Sequence, residues 1–474
     1  MKKIIALLFF CSLSFAQEQN FSQYFRNATF RFDSYHTGIK GEERISIDKM
    51  YEEGEWAGNT NNLIDTLNLG EYIFKIIDVS TNMVIYSRGY SSMFHEWQTT
   101  DEAASGIYRT FSESVRFPFP KKSFQLTISK RNKQMVFEEI YSVKIDPNSI
   151  DIQKNIYTGK KNPLAKTFAV TENGNPQKKV DIVILGDGYT KSEMEKFRKD
   201  AQHYTEVLFS VEPFKSRKKD FNVWAVEVES PESGINQPDK NIWANNTLGT
   251  TYNSFGSARY ILTEENKTLR KYAGLVPYDF IYIITNTKRY GGGGIFQLYA
   301  TCYTIGESPE TAWQADYVFV HEFGHSFAGL GDEYYSSSVA YTDFYPKGIE
   351  PWEPNVAANI SQENLKWKSF VSSTTSLPTE WNKRVYDSLS TEKGKLNPND
   401  KDYAKKRTEI LDAQNLFLSQ HPQKNIVGAF EGAGYSSTGL YRPSVDCRMF
   451  SLSLVNFDPV CTKAIHRMID FYTK

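Results

Sequence analysis

The sequence predicts an α+β protein with more than one domain, in which an all-β sandwich precedes an α/β domain. The chain has 474 residues, which is long enough for two or three domains. Before residue 150, short β-rich runs recur between polar or turn-forming segments, a spacing that is typical of a sandwich. After Val180 the pattern changes to alternating strands and helices, which indicates an α/β layer.

The first sixteen residues have the pattern of a secretion signal. Lys2 and Lys3 form a basic start, residues 4–10 are apolar, and Ser14-Phe15-Ala16 fits a small-x-small cleavage site. The apolar run is too short to span a bilayer, and no later stretch reaches about 18 uninterrupted apolar residues. We therefore expect an exported protein that is secreted, periplasmic or at the cell surface, without a transmembrane segment.

The charge balance narrows the classes of possible binding partner, and the cysteine count limits the possible disulfides. The 55 basic and 56 acidic residues nearly balance, so nothing points to nucleic acid or an anionic membrane. Cys11 belongs to the signal, which leaves Cys302, Cys447 and Cys461. An odd count in an exported protein allows one disulfide with a free thiol, or no disulfide at all.

Residues 17–150 are expected to form the sandwich. This module contains strand-like runs, such as residues 72–77 and 123–128, but no cluster of catalytic side chains. It is therefore expected to fold on its own. Asn-Pro and Asn-Gly turns mark residues 151–175 as a linker to a second domain, residues 176–474.

The second domain begins with alternating strands and helices. Residues 180–185 form an apolar run typical of a buried strand, and Thr190 with Glu193 makes a capping box for a helix to about residue 209. A second strand over residues 221–228, a helix near residues 264–272 and a third strand over residues 280–284 continue the pattern. This order favours one α/β layer.

The four glycines Gly291, Gly292, Gly293 and Gly294 allow three interpretations. A phosphate-binding loop lacks the Lys-Ser/Thr pair and the helix start that it needs. A slack linker is the second possibility. The third, which we favour, is an edge strand whose bare backbone binds an extended peptide substrate by β-addition.

The sequence His321-Glu322-Phe323-Gly324-His325 has the spacing of a metal-binding helix. Residues four apart share a helix face, so His321 and His325 can direct ring nitrogens at one ion. Glu322 lies about 100° round the helix, where it can accept a proton from water without binding the ion. Two imidazoles suit zinc, and a catalytic zinc site has a third protein ligand. Apolar neighbours argue against the alternative of two surface histidines.

The third metal ligand must follow a turn, because a helix cannot return a later residue to the same ion. Gly329 and Gly331 permit that turn. Asp332 is then the first candidate, with Glu333 next. In the metzincin pattern the third ligand comes six residues after the second histidine, whereas Asp332 comes seven after His325, which indicates a related but distinct loop.

The remaining chain supplies weaker signals. Residues 373–425 are polar and are expected to form a surface insertion. Met449 lies downstream of the histidines, where it is either the methionine of a Met-turn beneath a zinc site or an ordinary core residue. Tyr441, shortly before it, is a candidate oxyanion donor or a buried structural tyrosine.

Several of these stretches together resemble the secreted IgA-peptidase-like metallopeptidases, which are zincins with an N-terminal β-sandwich. The matching pieces are VDIVILGDGYT (180–190), SPESGIN (230–236, in outline), YGGGGIF (290–296), HEFGHSFAGLGDEY (321–334) and EGAGYSSTGLYRPSVDCRM (431–449). The resemblance implies one zinc ion held by His321, His325 and an acidic third ligand that we place on Asp332, with Glu322 as the catalytic base. It also implies a zincin fold for the second domain.

We therefore expect a zinc metallopeptidase, an endopeptidase whose partner is a protein or peptide substrate from outside the cell. One alternative is a non-catalytic cell-surface binding protein built on a protease scaffold, but such a protein has no need of Glu322. Another is a peptidase restricted to chain ends, which the glycine strand disfavours because it would accept an internal segment.

Overall fold

The N-terminal region is strand-rich. The computed structural model describes residues 20–154, 164–304, 312–335, 345–397 and 400–474, so the expected signal lies outside the described residues. The N-terminal elements are α1 (Phe21–Tyr24), β1 (Phe25–Ile39), β2 (Glu42–Glu52), β3 (Tyr72–Asp78), β4 (Met83–Tyr90), α2 (Met93–Gln98), α3 (Asp101–Ala104), β5 (Arg109–Pro120), β6 (Phe124–Arg131), β7 (Phe137–Ile145) and β8 (Ile152–Gln153).

These strands form two sheets, in the orders β5-β1-β2-β8 and β4-β3-β6-β7. The sheets share one apolar core, in which Phe30 of β1 stacks on Phe117 of β5 and meets Phe124 of β6 edge-on. Alternate residues of β3 and β6 point into this core, as a period of two requires; they are Tyr72, Phe74 and Ile76, and Phe124, Leu126 and Ile128. The helices α2 and α3 lie between β4 and β5, a difference from the all-β prediction.

The stretch predicted as a linker, residues 151–175, is not a free connection at its ends. Ile152–Gln153 pairs with β2, and β9 (Thr167–Thr171) pairs with the strand Phe221–Val226 of a separate six-stranded sheet. Residues 155–163, between them, lie outside the described residues. The polar composition of this stretch did not reveal the short edge strands at Ile152–Gln153 and Thr167–Thr171.

A mixed α/β region follows. Its elements are β10 (Val180–Asp187), α4 (Met194–Leu208), β11 (Phe221–Val226), α5 (Asn266–Ala273), β12 (Phe280–Thr285), β13 (Gly292–Ile295), β14 (Tyr299–Tyr303), α6 (Ala312–Ala328), α7 (Lys383–Gly394), α8 (Tyr403–Ser419), β15 (Phe430–Ala433), β16 (Ser436–Arg442) and α9 (Pro459–Thr473). The sheet order is β13-β14-β12-β10-β11-β9. The four central strands are parallel, and both edge strands run antiparallel to their neighbours.

The central strand β10 is buried on both faces, which explains its uninterrupted apolar sequence. Ile182 and Ile184 point into a core that contains α4, α6 and α9. Val183 and Leu185 point into a second core on the other face of the sheet. That second core is closed by α5 together with Phe94 and other residues of α2, so the N-terminal region covers one face of the six-stranded sheet.

Two helices, α7 and α8, occupy most of the segment predicted as an insertion. They pack on each other and are anchored in the main core by Tyr386 and Leu418. The last helix, α9, begins after Asp458, whose carboxylate caps the N–H groups of Val460 and Cys461. Pro459 stands at the first helical position, where its missing N–H costs nothing.

Candidate metal centre and cleft

Helix α6 carries His321, Glu322 and His325 through the interior. Its apolar residues fix it against β12 and α4; Phe319, for example, stacks between Tyr204 and Tyr282. On another side of the helix, Gly324 has no side chain and Met449 packs close to the helix backbone. A Cβ atom at Gly324 would lie only 3.1 Å from the sulfur of Met449. The histidine-bearing turns are therefore held in a rigid, close-packed surround.

The turn after α6 depends on one glycine in the left-handed backbone conformation, Gly329, and on the side chain of Asn355. Gly329 has φ +61° and donates its N–H to the carbonyl of His325 at 3.0 Å. The side chain of Asn355 accepts from the Gly331 N–H at 2.8 Å and donates to the Gly331 carbonyl at 2.9 Å. Its Nδ2 also donates to Oε1 of Glu333 at 2.9 Å. Asn355 thus directs Glu333 away from the histidines.

Asp332 points the other way and meets both histidines. Its Oδ1 lies 3.0 Å from Nε2 of His321 and 3.2 Å from Nε2 of His325, and the two Nε2 atoms are 3.1 Å apart. Three potential ligand atoms therefore converge on one point. All three side chains are buried or nearly so.

The far side of each imidazole is held by the main chain. Nδ1 of His321 lies 3.0 Å from the carbonyl of Arg448, and Nδ1 of His325 lies 2.5 Å from the carbonyl of Leu330. A carbonyl oxygen can only accept a hydrogen bond, so this arrangement favours the proton on Nδ1 and leaves the Nε2 lone pair facing the cluster. Metal-binding histidines are oriented by the same kind of contact.

The electrostatics of the three side chains favour a positive charge between them. Burial opposes the charged form of His325, but the charge of Asp332 and a hydrogen bond to it outweigh burial and raise the pKa of His325 to about 9. Burial alone would raise the pKa of Asp332, yet the two histidines hold it well below its usual range. Two nitrogen lone pairs and a carboxylate oxygen this close repel one another unless a proton or a cation lies among them. The donor set therefore fits a zinc ion.

Glu322 lies beside these three side chains and lines the same cavity without joining their contacts. Burial is the main cause that raises its pKa, while His321 and His325 act in the opposite direction. A carboxylate with a raised pKa is a stronger base. The position therefore suits proton transfer next to the metal-binding atoms.

Tyrosines surround the cluster, and the sequence did not single them out. Tyr435 donates its hydroxyl proton to Oδ2 of Asp332 at 2.6 Å, which orients that carboxylate. Tyr334 stacks over the His321 ring, and its hydroxyl accepts from Arg259 at 3.3 Å. The one sequence signal for Tyr435 was its place after Gly434 in a glycine-rich stretch, and both residues have positive φ.

Gly292, Gly293 and Gly294 lie in the edge strand β13, and Gly291 directly precedes it. The slack-linker interpretation is therefore wrong. None of the four glycines has positive φ. The backbone N–H and C=O of Gly292 point away from β14 and are already hydrogen-bonded. The N–H donates to the carbonyl of Arg259, and the C=O accepts from the N–H of Ile261, both at 3.1 Å. By the alternation of an antiparallel pair, the N–H and C=O of Gly294 point away from β14. Any substrate pairing along β13 is thus limited to the stretch around Gly294.

Of the two candidate residues near the end of the chain, Tyr441 lies outside the lining of the cleft and Met449 lies beneath the histidine-bearing helix. Tyr441 pairs through its backbone with Ala357 and does not line the cavity, so the structure does not bring it to the histidines. Met449 is fully buried against Gly324, beneath the histidine-bearing turns of α6. Its carbonyl accepts from the N–H of Glu333 at 2.9 Å, which ties this segment to the metal-ligand turn.

Glu333 belongs to a second buried group with Cys447, Asp458 and Cys461. The two sulfur atoms are 3.9 Å apart, and Cys461 Sγ lies 3.3 Å from Oε1 of Glu333. All three described cysteines, including Cys302, are free and buried. This group anchors the start of α9 below the metal centre.

The metal centre opens into a cavity of about 350 Å³. Its walls come from four parts of the chain: His95 and Glu96 of the N-terminal region, the glycine strand, α6 with the turn that follows it, and the helices α7 and α8. Both acidic and basic side chains lie in the walls of the cavity. It is open to solvent and large enough for several residues of an extended peptide.

Comparison with protein-family models assigns the chain to a family. Residues 168–469 match the family described as IgA Peptidase M64, and residues 20–142 match the family described as Peptidase M64 N-terminus. The chain therefore belongs to the IgA peptidase M64 family, a family of metallopeptidases, and is a peptidase. A search of curated proteins finds no match. Among the described residues, no helix combines the length and apolar character needed to cross a membrane.

Proposed function

We propose that this protein is an exported, zinc-dependent endopeptidase that hydrolyses peptide bonds of extracellular proteins. The observation that carries the proposal is the convergence of His321 Nε2, His325 Nε2 and Asp332 Oδ1 at 3.0–3.2 Å from one another. These three side chains would hold one zinc ion. The region would then be a zincin with Met449 in its Met-turn, preceded by a β-sandwich.

A zinc ion at this position would supply Lewis acidity, lowering the pKa of a bound water toward about 7 and polarising the scissile carbonyl. The carboxylate of Glu322 accepts the proton of the attacking water and delivers it to the leaving amine. The Tyr435 hydroxyl keeps Asp332 oriented throughout. The main chain around Gly294 positions an extended substrate, which favours internal cleavage over removal of terminal residues.

Replacing Glu322 by Gln tests this proposal. The amide keeps the shape of the side chain but cannot accept a proton, so we expect full zinc content and a loss of peptidase activity of at least about a thousandfold. Zinc is measured by elemental analysis, and activity by mass spectrometry of cleaved peptides. Chelation should abolish activity in the parent protein, and zinc should restore it. Activity of Glu322→Gln within a few-fold of the parent would exclude the mechanism.

Export is tested separately. Fractionation of cells that express the full chain should place the protein outside the cytoplasm, with its N-terminus at Gln17. Protein that keeps residues 1–16 and stays in the cytoplasm would contradict this part of the proposal.

A further inference from the structure

One wall of the cavity is formed by α7 and α8. Arg407, Leu411 and Gln414 line the cavity from α8, where their spacing of four and three residues puts them on one helix face. Leu418 continues this face and is fully buried in the main core. The helix is therefore anchored at one end and presents Arg407 to the cavity toward its other end.

This wall carries two cations without an acidic partner. Within the part of the chain that the structure describes, Arg407 has neither a hydrogen bond nor an ion pair. Lys393 of α7 donates to a neutral acceptor, Oε1 of Gln414, at 3.0 Å, and pairs with no described carboxylate. By contrast, Lys405 and Lys406 on the outer face of α8 both pair with acids of their own helix.

The position of Lys393 is fixed by its neighbours. Gln414, which is 2% exposed, donates its amide to Ser390 Oγ at 2.8 Å and turns its carbonyl oxygen to Lys393. Burial, together with the charge of Arg407, lowers the pKa of Lys393 to about 8. Two like charges held together in a partly buried site are unfavourable, and an anion between them would relieve both effects.

The acidic side chains of the cavity are engaged elsewhere. Glu96 accepts from the Tyr260 hydroxyl at 2.7 Å, and Glu353 accepts from the Tyr345 hydroxyl at 3.0 Å. Glu322 and Asp332 belong to the metal centre. Among the residues that the structure describes, the cavity therefore offers Lys393 and Arg407 no free carboxylate, and a bound ligand can supply one.

The two cations line the same cavity as His321, His325 and Asp332. Tyr290 also lines this cavity: burial is the main cause of its raised pKa, the charges of Arg259 and Arg407 act to lower that pKa, and those of Glu322 and Asp332 act to raise it. A peptide that fills the cavity from the histidine cluster would therefore reach the wall that carries Lys393 and Arg407.

We propose that Lys393 and Arg407 form a carboxylate-binding subsite that selects peptide substrates with an acidic group near the scissile bond. The carboxylate is either an Asp or Glu side chain or the C-terminus of the peptide. This inference rests on the proposed peptidase function. Paired cations select carboxylates because each forms a charge-assisted hydrogen bond.

Peptide binding tests the subsite independently of catalysis. The probe is a decapeptide library in which one position at a time carries Gln or Glu, each peptide having either a free or an amidated C-terminus. Affinities are measured by fluorescence anisotropy on the zinc-loaded Glu322→Gln protein, and kcat/KM is measured on the parent. We expect Glu to bind about tenfold tighter than Gln at one position, or the free C-terminus about tenfold tighter than the amide; the first result identifies a side-chain carboxylate and the second a terminal one.

Variants assign the preference to the two cations. Lys393→Gln with Arg407→Gln should bring the ratio of acidic to neutral affinity close to one, and Arg407→Glu should favour a Lys-containing peptide. The matched control, Lys405→Gln with Lys406→Gln on the outer face of α8, should keep the parental ratio.

A parental ratio within twofold at every position and at the C-terminus, or a ratio that survives the double substitution at 393 and 407, overturns the subsite. Cleavage without any acidic preference refutes the subsite and leaves the peptidase proposal standing. A binding preference without zinc-dependent cleavage by the parent refutes the peptidase proposal and leaves the subsite standing.

Discussion

At the scale of single residues, two neighbouring acids have opposite roles in the structure. Asp332 and Glu333 follow the same glycine turn, and the spacing of residues left both as candidate ligands. The structure separates them through Asn355, which binds the carboxylate of Glu333 and both polar groups of Gly331. No local sequence rule indicates an asparagine that is 24 residues away from the turn it orders.

Matched amide substitutions test this separation. Asp332→Asn removes the charge that faces His321 and His325, so we expect zinc affinity to fall by more than the roughly 10- to 100-fold typical of losing an outer-shell partner. Burial, reinforced by the charge of Asp458, raises the pKa of Glu333 well above its usual range, which favours the neutral form that Gln resembles. Glu333→Gln should keep full zinc content and a Tm within about 3 °C of the parent. Equal zinc loss in both variants would contradict the assignment.

The pattern at His321, Glu322 and His325 was readable from sequence because a helix fixes the relation between residues four apart. The contacts of Tyr435 and Arg259 were not, because tertiary packing brings them to the site from other elements. Tyr441 shows the same limit. Its proximity in sequence to Met449 suggested the cleft, but pairing with Ala357 places its backbone on a hairpin outside the cavity lining.

At the scale of elements, β13 explains why glycines recur beside the metal helix. A Cβ atom on Gly294 would lie 2.4 Å from the carbonyl oxygen of Glu322 and 3.0 Å from Cβ of His325. A Cβ atom on Gly292 would lie 2.7 Å from the side chain of Val318. The strand therefore approaches α6 backbone to backbone. The sequence predicted the edge strand but gave no indication of this close approach.

Alanine substitutions at two glycines test the role of that approach. Gly294→Ala must push β13 away from α6, so we expect a loss of about 1–3 kcal/mol in stability and a parallel loss of kcat/KM. Gly394 lies in α7 with open space at its Cβ position, so Gly394→Ala should keep activity and stabilise by about 0.5–1 kcal/mol. Thermal melts and a peptide-cleavage assay measure both effects. An unchanged melt for Gly294→Ala would show that the strand can move without cost.

At the scale of the whole molecule, the sequence predicted the order of strand-rich and α/β regions but not their interdependence. Short β-rich runs identified the strands of the N-terminal region, and continuous apolar runs identified buried strands such as residues 180–185 of the α/β region. The apolar residues of α2 gave no sign that they pack on another sheet, because a buried face looks the same in sequence whichever element covers it. In the structure Phe94 and Trp97 share a core with Val183 and Ile281 of the catalytic sheet. The expectation that residues 17–150 fold alone does not take this shared core into account.

Two tryptophans provide a matched test of that interdependence. Trp97 is fully buried in the shared core, whereas Trp243 is 66% exposed. Trp97→Ala should cost about 3–5 kcal/mol from lost packing and the cavity left behind, and Trp243→Ala should change stability by less than about 0.5 kcal/mol. Because Trp97 lies in the core that both regions share, its loss should lower a single melting transition in which near-ultraviolet circular dichroism and residual peptidase activity decline together.

Independent unfolding of the N-terminal and α/β regions would give a different result. If the two regions are independent, Trp97→Ala will split the melt into two steps, and peptidase activity will persist to the parental Tm while the N-terminal region unfolds below it. A single lowered transition instead means that α2 is part of the catalytic core. The N-terminal region would then be required for a stable metal centre, since it closes one face of the sheet and supplies His95 and Glu96 to the cleft.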